Sequence, residues 1–315
     1  MNALTFAIPV FNEADNLDQL TSDFAPLWEE HDAIVVFVND GSSDGTLAEL
    51  ERLSKEHPRV GYISLSRNFG KEQALAAGLG AVQSGSDVVV MDGDGQHTPE
   101  AVRKLIVAAK MQPESDIFFA SRQDRRYQGW AERFFSRAFY RLINLAVPVP
   151  LDERVGDFFY ARSHVVAKLK VFNDKSLFWK GIYHWVGYDR AYVDVVIKNR
   201  SAGASKFSFF KKLKLMVDAV VWLTKLPLQL ISLLGFTMFF LSFIFLSWMM
   251  FQWMVFGVSV PGFYTLAIIQ SMTAGIVTFS LGVIALYMAA IFDNTSTKPN
   301  FIVSRKNLDS ADDPQ

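Results

Sequence analysis

Five short apolar runs alternate with helix-length stretches in the first part of this 315-residue chain, and that alternation narrows the fold most. The runs are Leu4–Val10, Ala33–Asn39, Val60–Ser66, Asp87–Met91 and Asp116–Ala120. They are rich in Val and Ile at consecutive positions, as strands buried on both faces are. Between them, Asn12 stands to cap a helix through Leu27, and Ser43 or Asp44 one through about Lys55. Phe69–Gln83 is Ala-rich, and Thr98-Pro99-Glu100 pairs an N-cap threonine with a proline in the first turn. Such alternation calls for a mostly parallel sheet with helices on both faces.

In an open sheet of this kind the C-terminal strand ends line one crevice, where ligands bind. The fourth run closes on Asp92-Gly93-Asp94. Two carboxylates placed together are costly unless something positive sits between them. A divalent cation carrying a diphosphate fits, because Mg²⁺ takes one or two carboxylates plus phosphate oxygens; a solvated Asp-Gly turn is the competing explanation. The other ends read Pro9-Val10-Phe11-Asn12-Glu13, Val38-Asn39-Asp40-Gly41-Ser42-Ser43-Asp44-Gly45-Thr46 and Ser66-Arg67-Asn68-Phe69-Gly70-Lys71. Turn and cap roles explain many of these polar residues. They do not explain a cationic loop among acidic ones, where Arg67 and Lys71 suit phosphate. His97, beside the triplet, suits either a donor contact or a turn.

Several chemistries drop out. Gly78-Leu79-Gly80 lacks the third glycine of a dinucleotide fingerprint, and no P-loop string occurs. The 5 histidines show no zinc spacing, and the absence of cysteine excludes disulfides and thiolate chemistry. A net charge of −1 offers no bulk attraction to nucleic acid. The N-terminus has no basic n-region, so no signal peptide is expected.

The strings PVFNE, NDGSSDGT, SRNFGKEQA and MDGDGQHTPE, in this order and spacing, resemble glycosyltransferase family 2, whose members have the GT-A nucleotide-sugar-binding fold. Gly156-Asp157-Phe158, Phe178-Trp179-Lys180-Gly181 and Ala202-Gly203-Ala204-Ser205-Lys206 resemble its polyprenyl-phosphate sugar transferase branch, which holds the dolichyl-phosphate mannose synthases and bactoprenol-phosphate glucosyltransferases. The resemblance covers essentially the whole chain. It implies that Pro9, Phe11, Glu13, Val38 and Asp40 surround the nucleotide base and ribose. Asn68 and Lys71 then lie near ribose and diphosphate, Asp92 and Asp94 hold Mg²⁺ or Mn²⁺ and ribose, and Gly93 and Gln96 lie close to the donor. Two positions depart from the pattern: Phe11 stands where Tyr is common, and Gly93 where Ala is common. The first removes a hydroxyl; the second is expected to matter little.

Ser121-Arg122 follows the fifth run directly, with Arg125 and Arg126 just beyond, so Arg122 and Arg126 are candidates for an acceptor phosphate. Arg133, Arg137 and Arg141 are spaced four apart, as in an ordinary amphipathic helix or one touching anionic headgroups. Asp157 is a lone acid in an apolar run and needs a partner. Arg154 or Arg162 would give it a structural role; otherwise it belongs, with Asp94, to the catalytic centre. A sugar-hydroxyl acceptor requires a general base there. A lipid phosphate is already a nucleophile at neutral pH, which leaves Asp157 to orient it or to bind metal. Lys206 suits a phosphate or a snorkelling role.

Residues 206–225 mix lysines with apolar residues, as a helix lying at a bilayer surface does. Two uncharged stretches follow, Leu228–Phe256 and Phe263–Phe292, each beyond the roughly 20 residues a span needs. Lys211, Lys212, Lys214 and Lys225 precede them, and Lys298, Arg305 and Lys306 follow, so both flanks are expected in the cytoplasm. The expected organisation is a cytoplasmic GT-A domain over 1–205, an interfacial helix over 206–225, a two-helix transmembrane hairpin over 226–292 and a cytoplasmic tail over 293–315. The sheet is expected to be complete before residue 226.

The function expected is inverting, metal-dependent transfer of a hexose onto polyprenyl (undecaprenyl) phosphate at the bacterial inner membrane. UDP-glucose is the preferred donor and GDP-mannose the alternative; homo-oligomers are common in the resembled family. A processive polysaccharide synthase is disfavoured by the absence of a Q-x-x-R-W string. A non-catalytic membrane scaffold is disfavoured by the intact acids.

Overall fold

The computed structural model describes residues 2–122, 152, 154–172, 178–196, 226–256, 262–295 and 298–308. The chain divides into two units, one of Met1–Ser208 with Thr297–Gln315, the other of Phe209–Ser296. In the first, the order is β1 (Leu4–Val10), α1 (Ala14–Glu30), β2 (Ile34–Asn39), α2 (Thr46–Glu56), β3 (Val60–Leu65), α3 (Lys71–Ala81), β4 (Asp87–Val90), α4 (Pro99–Met111) and β5 (Ile117–Arg122). Then come β6 (Phe159–Ala161), α5 (Ser163–Leu169), α6 (Trp179–Trp185), β7 (Arg190–Val195) and β8 (Val303–Asn307). The second unit contains α7 (Leu226–Phe256) and α8 (Phe263–Thr295).

The strands form one sheet in the order β7-β5-β6-β4-β1-β2-β3-β8. The block β3-β2-β1-β4 is parallel throughout. Its side chains are buried on both faces, which explains the unbroken apolar runs. Leu17, Phe24 and Trp28 of α1, Leu50 of α2 and Leu105 of α4 join Phe6, Ile8, Phe37 and Val89 in one core. On the other face, Ala74 and Ala77 of α3 pack on Val36, Val38, Ile63 and Leu65. The small residues of α3 bring it close: a Cβ on Gly78 would lie 3.1 Å from Val38 Cγ2. The chain builds outward from β1 to β3, then crosses back to place β4 on the other side of β1. That reversal is where such sheets open a ligand crevice.

β6 lies antiparallel between β4 and β5, and β7 pairs parallel with β5. Thr98 caps α4 as the sequence implied, accepting from the Ala101 N–H at 3.2 Å. Asn12 does not cap α1. It takes a left-handed φ of 55°, and its Oδ1 accepts from the Ser43 N–H at 2.9 Å, tying two loops together instead.

The largest difference from the sequence reading is β8. It pairs antiparallel with β3, so the sheet is not complete before residue 226, and residues 303–307 of the tail belong to it. The Ser66 N–H donates to the Ile302 carbonyl at 2.8 Å, Ser304 Oγ donates to the Ser64 carbonyl at 3.0 Å, and Arg305 pairs with Glu51 at 2.7 Å.

In the second unit, Thr237, Thr273 and Thr278 bond back to carbonyls four residues earlier, which satisfies their hydroxyls within the helix. Large apolar side chains such as Leu233, Phe251, Met254 and Phe292 are exposed. Counted over the described residues alone, no helix is long and apolar enough to cross a membrane.

Candidate active site

The loops after β1, β2 and β3 are knitted together at the C-terminal edge of the sheet. The Asn12 N–H donates to Ser42 Oγ at 2.9 Å and the Glu13 N–H to Thr46 Oγ1 at 3.0 Å. Asp40 accepts from the Phe69 and Gly70 N–H groups at 2.7 and 3.0 Å. Gly41 is required where it stands: its φ is +61°, and a Cβ there would lie 2.1 Å from the Arg67 carbonyl carbon. Burial pushes the Asp40 pKa up, and the two N–H bonds offset part of that rise. Asp40 therefore fixes the Asn68–Lys71 loop, a role the sequence did not show. Phe11 leaves 45% of its surface exposed at this edge, whereas the Val38 side chain is buried under α3.

Lys71, the first residue of α3, joins two acids. Its Nζ lies 2.7 Å from Asp92 Oδ1 and 2.8 Å from Asp157 Oδ2. The sheet brings those acids together: Val90 of β4 lies opposite Phe159 of antiparallel β6. Asp92 and Asp157 each stand two residues from that pair, on the same side. Asp157 thus has neither of the partners expected of it. Arg154 pairs with Asp152, and Arg162 donates to the Ser115, Ala109 and Gln112 carbonyls.

The electrostatics follow from this bridge. Burial works to raise the Asp157 pKa, but Lys71 and Lys180 outweigh it and hold the carboxyl below its usual range. Burial works against the Lys71 charge, and Asp157 and Asp92 outweigh that too, so its pKa is raised. Glu72, next in the chain, is pushed up to about 7 by burial and by the Asp157 charge. Trp179 Nε1 donates to the Glu72 carbonyl at 2.9 Å and fastens α6 to the start of α3.

Asp94 is oriented by Gln96, whose N–H reaches Oδ1 at 3.1 Å and whose Nε2 reaches Oδ2 at 2.6 Å. His97 Nδ1 accepts from the Asp92 N–H at 3.2 Å. Its ring stacks on Phe158, with centroids 4.1 Å apart, so His97 braces the triplet. Gly93 matters more than expected, since a Cβ there would come 2.4 Å from Val10 Cγ1.

Among the described residues, no group of three or more His, Cys, Asp or Glu gathers as a metal site. The donor set is nonetheless chemically apt: two carboxylates and an amide, with an ammonium already seated against Asp92. The main chain of Arg122 pairs with Val195 at the end of β5. Arg126 and Lys206 lie outside the described residues, as do the arginine stripe over 133–141 and the segment 206–225. Glu72, Trp179 and Lys180 lay in strings that carried the family resemblance but were given no role of their own, and Tyr183 was not singled out at all. The signals available were the Lys71-Glu72 adjacency and the Phe178-Trp179-Lys180-Gly181 string.

Residues 5–170 match the family described as glycosyl transferase family 2. The chain belongs to glycosyltransferase family 2. This glycosyltransferase is 32% identical over 306 residues to an uncharacterized glycosyltransferase of Synechocystis, covering 96% of this chain and 94% of the relative. It is likewise 32% identical over 307 residues to the bactoprenol glucosyl transferase of Shigella phage SfX, covering 96% and 99%. A prophage bactoprenol glucosyl transferase homolog of Escherichia coli K12 matches at 32% over 305 residues, covering 96% and 98%. The two relatives named for bactoprenol match the polyprenyl-phosphate sugar transferase branch. Mannosyl-3-phosphoglycerate synthase from Rubrobacter xylanophilus superposes with a TM-score of 0.51 at 14% identity, covering 70% of this chain and 72% of that one. The shared feature there is the α/β GT-A fold.

Proposed function

We propose that this glycosyltransferase moves a hexose, with glucose from UDP-glucose preferred, onto polyprenyl phosphate at the cytoplasmic leaflet, with inversion. The observation that carries the reading is the Asp92–Lys71–Asp157 bridge at the crevice between β1 and β4. A cation held between two acids fits a site that handles a diphosphate leaving group and its counter-ion. Near-full-length similarity to proteins named bactoprenol glucosyl transferases supports glucose and a polyprenyl lipid.

Asp92 and Asp94 would hold a divalent cation, Mg²⁺ or Mn²⁺, and that ion supplies charge stabilisation to the departing diphosphate. Phe11 offers an exposed aromatic face to the base, and Asn68 and Lys71 sit on the loop Asp40 fixes. Lys71, seated beside Asp92, is the cation available to the departing diphosphate, a role that requires no general base. The lipid phosphate attacks as the nucleophile it already is near neutral pH. Asp157 then orients groups at the reacting centre instead of removing a proton. Arg122, Arg126 and Lys206 are the cations assigned to the acceptor phosphate.

The anchor proposed is a membrane hairpin of α7 and α8, helices of 31 and 33 residues, whose stretches 228–256 and 263–292 carry no charge. Their exposed apolar side chains and internally satisfied threonines suit lipid contact. Lysines and arginines on both outer flanks support a cytoplasmic side of the inner membrane for the catalytic unit. The test is to reconstitute the full chain with undecaprenyl phosphate and a panel of labelled nucleotide sugars. Label in lipid from UDP-glucose supports the reading. Label from GDP-mannose alone changes the donor, and a polymer product overturns it.

A further inference from the structure

The loop over 67–71, which carries Asn68 and Lys71, begins at a contact with the other end of the chain. Ser66 is the residue before it, and its N–H donates to the Ile302 carbonyl at 2.8 Å. Because β8 runs antiparallel to β3, its first residues lie at the loop end of β3 and its last residues at the opposite end. The register jumps beside the loop. Ser64 faces Arg305 but Leu65 faces Val303, which leaves Ser304 as the extra residue of a β-bulge. Its Oγ donates to the Ser64 carbonyl at 3.0 Å. Bulges bend a strand and are common next to active sites.

Two further links run from the same place. Ser64 Oγ accepts from Asn39 Nδ2 at 3.0 Å in a buried bond, and Asn39 precedes the Asp40 that bonds the Phe69 and Gly70 N–H groups. Phe301, two residues before β8, packs on the cluster formed by Val36, Val38, Ile63, Leu65, Ala74 and Ala77. Phe69 of the loop packs on that cluster too, and the two alanines belong to α3, whose first residue is Lys71. The loop is thus held from β2 by Asp40 and from the tail by Phe301, Ile302 and Ser304. Covering the edge of β3 is the simpler role of β8, and its far end serves it. A Cβ on Gly61 would lie 2.4 Å from Leu308 Cδ2, and Asn307 Nδ2 donates to Ser54 Oγ at 3.2 Å.

We propose that Phe301 is a positioning residue of the donor site, which together with Ile302 and Ser304 holds the loop presenting Asn68 and Lys71, so that donor affinity depends on the strand following the second apolar helix. The inference rests on the donor reading above and goes beyond it, since it brings into the site a segment 240 positions along the chain from β3. Phe301 acts through the cluster it shares with Phe69 and α3, not by contact with the nucleotide sugar. Without its ring the loop populates other positions, and the donor must order it on binding at a cost in affinity.

Phe301→Ala, set against Leu308→Ala in the full-length protein, tests this. Each truncates an apolar side chain packed on the same cluster, at opposite ends of β3. Three quantities are measured: the Tm, the Kd of UDP-glucose with Mn²⁺, and the KM for undecaprenyl phosphate. Both variants should melt below the wild type, since each loses buried apolar contact. Only Phe301→Ala should bind UDP-glucose more weakly, by roughly tenfold, with the lipid KM unchanged. Where Phe301→Ala does not fold, Ser304→Ala takes its place, because it removes only the bond to the Ser64 carbonyl; a loss of about threefold is expected. Wild-type donor affinity in the folded variant overturns the proposal. An equal loss of affinity in Leu308→Ala overturns it as well, because the effect would then be one of stability and not of position. A wild-type protein that binds neither UDP-glucose nor GDP-mannose with Mn²⁺ defeats the donor reading and this inference together, whereas the first two results defeat the inference alone.

Discussion

The Lys71 ammonium lies 2.8 Å from the Asp157 carboxylate and joins residues 86 positions apart in the chain. Replacing Lys71 with Gln removes the cation proposed to meet the diphosphate and takes from Asp157 the ammonium bonded to it, leaving Lys180 as its nearby cation. Turnover should fall by about 10²–10³-fold, as when one preorganised donor is lost. The Tm should also fall, because one partner of a partly buried pair is left behind. Steady-state transfer and thermal unfolding check both. Near-normal turnover would remove Lys71 from the chemistry.

Glu72 gives the fold a pH dependence of definite sign. Its folded pKa, about 7, lies above the ordinary 4.5, so the native state holds the proton more tightly. Its contribution to stability is full below about 4.5 and is lost as pH rises through about 7. Glu72→Gln should flatten the decline across that window and raise the Tm above it. Thermal melts from pH 4 to 9 read this out. Parallel Tm–pH curves for wild type and variant would contradict it.

Gly93→Ala should destabilise the protein by about 1–3 kcal/mol through overpacking against Val10. The pair Gly93→Ala with Val10→Ala should recover part of that loss, because the smaller neighbour vacates the space. Chemical denaturation of the three variants measures the coupling. Additive losses would mean that Val10 is not the obstruction.

Removing residues from 298 onward strips β8 from β3 and opens that sheet edge. A loss of about 2 kcal/mol corresponds to a Tm drop of roughly 4–8 °C in a unit of this size. The shortened protein should also aggregate more readily, which light scattering detects. An unchanged Tm would show that β8 contributes nothing to the fold.

The parallel block was legible in the sequence because its strands are buried on both faces and announce themselves as unbroken apolar runs. Thr98 and the Asp92–Asp94 triplet were legible for a similar reason, since their signals are local. β8 was not, because an exposed edge strand with Arg305 and Lys306 carries no apolar pattern. The Asp157 partner was hidden by distance along the chain, and nearby Arg154 and Arg162 were drawn elsewhere. Asn12 carries a capping residue's chemistry, but its Oδ1 went to Ser43 in the next loop. Only the strand register, which sets Asp92 opposite Asp157, joins these local signals into a site.

The central claim is that the acceptor is a lipid phosphate that needs no base. Full-length protein in bilayers, given UDP-glucose and Mn²⁺, is offered undecaprenyl phosphate or undecaprenol at matched density, and transfer is followed from pH 5 to 8. The account predicts glucosylation of the phosphate only, with a rate that rises as that phosphate ionises near about 6, in wild type and Asp157→Asn alike. Equal glucosylation of the alcohol, or an acidic limb that disappears in Asp157→Asn, would contradict it.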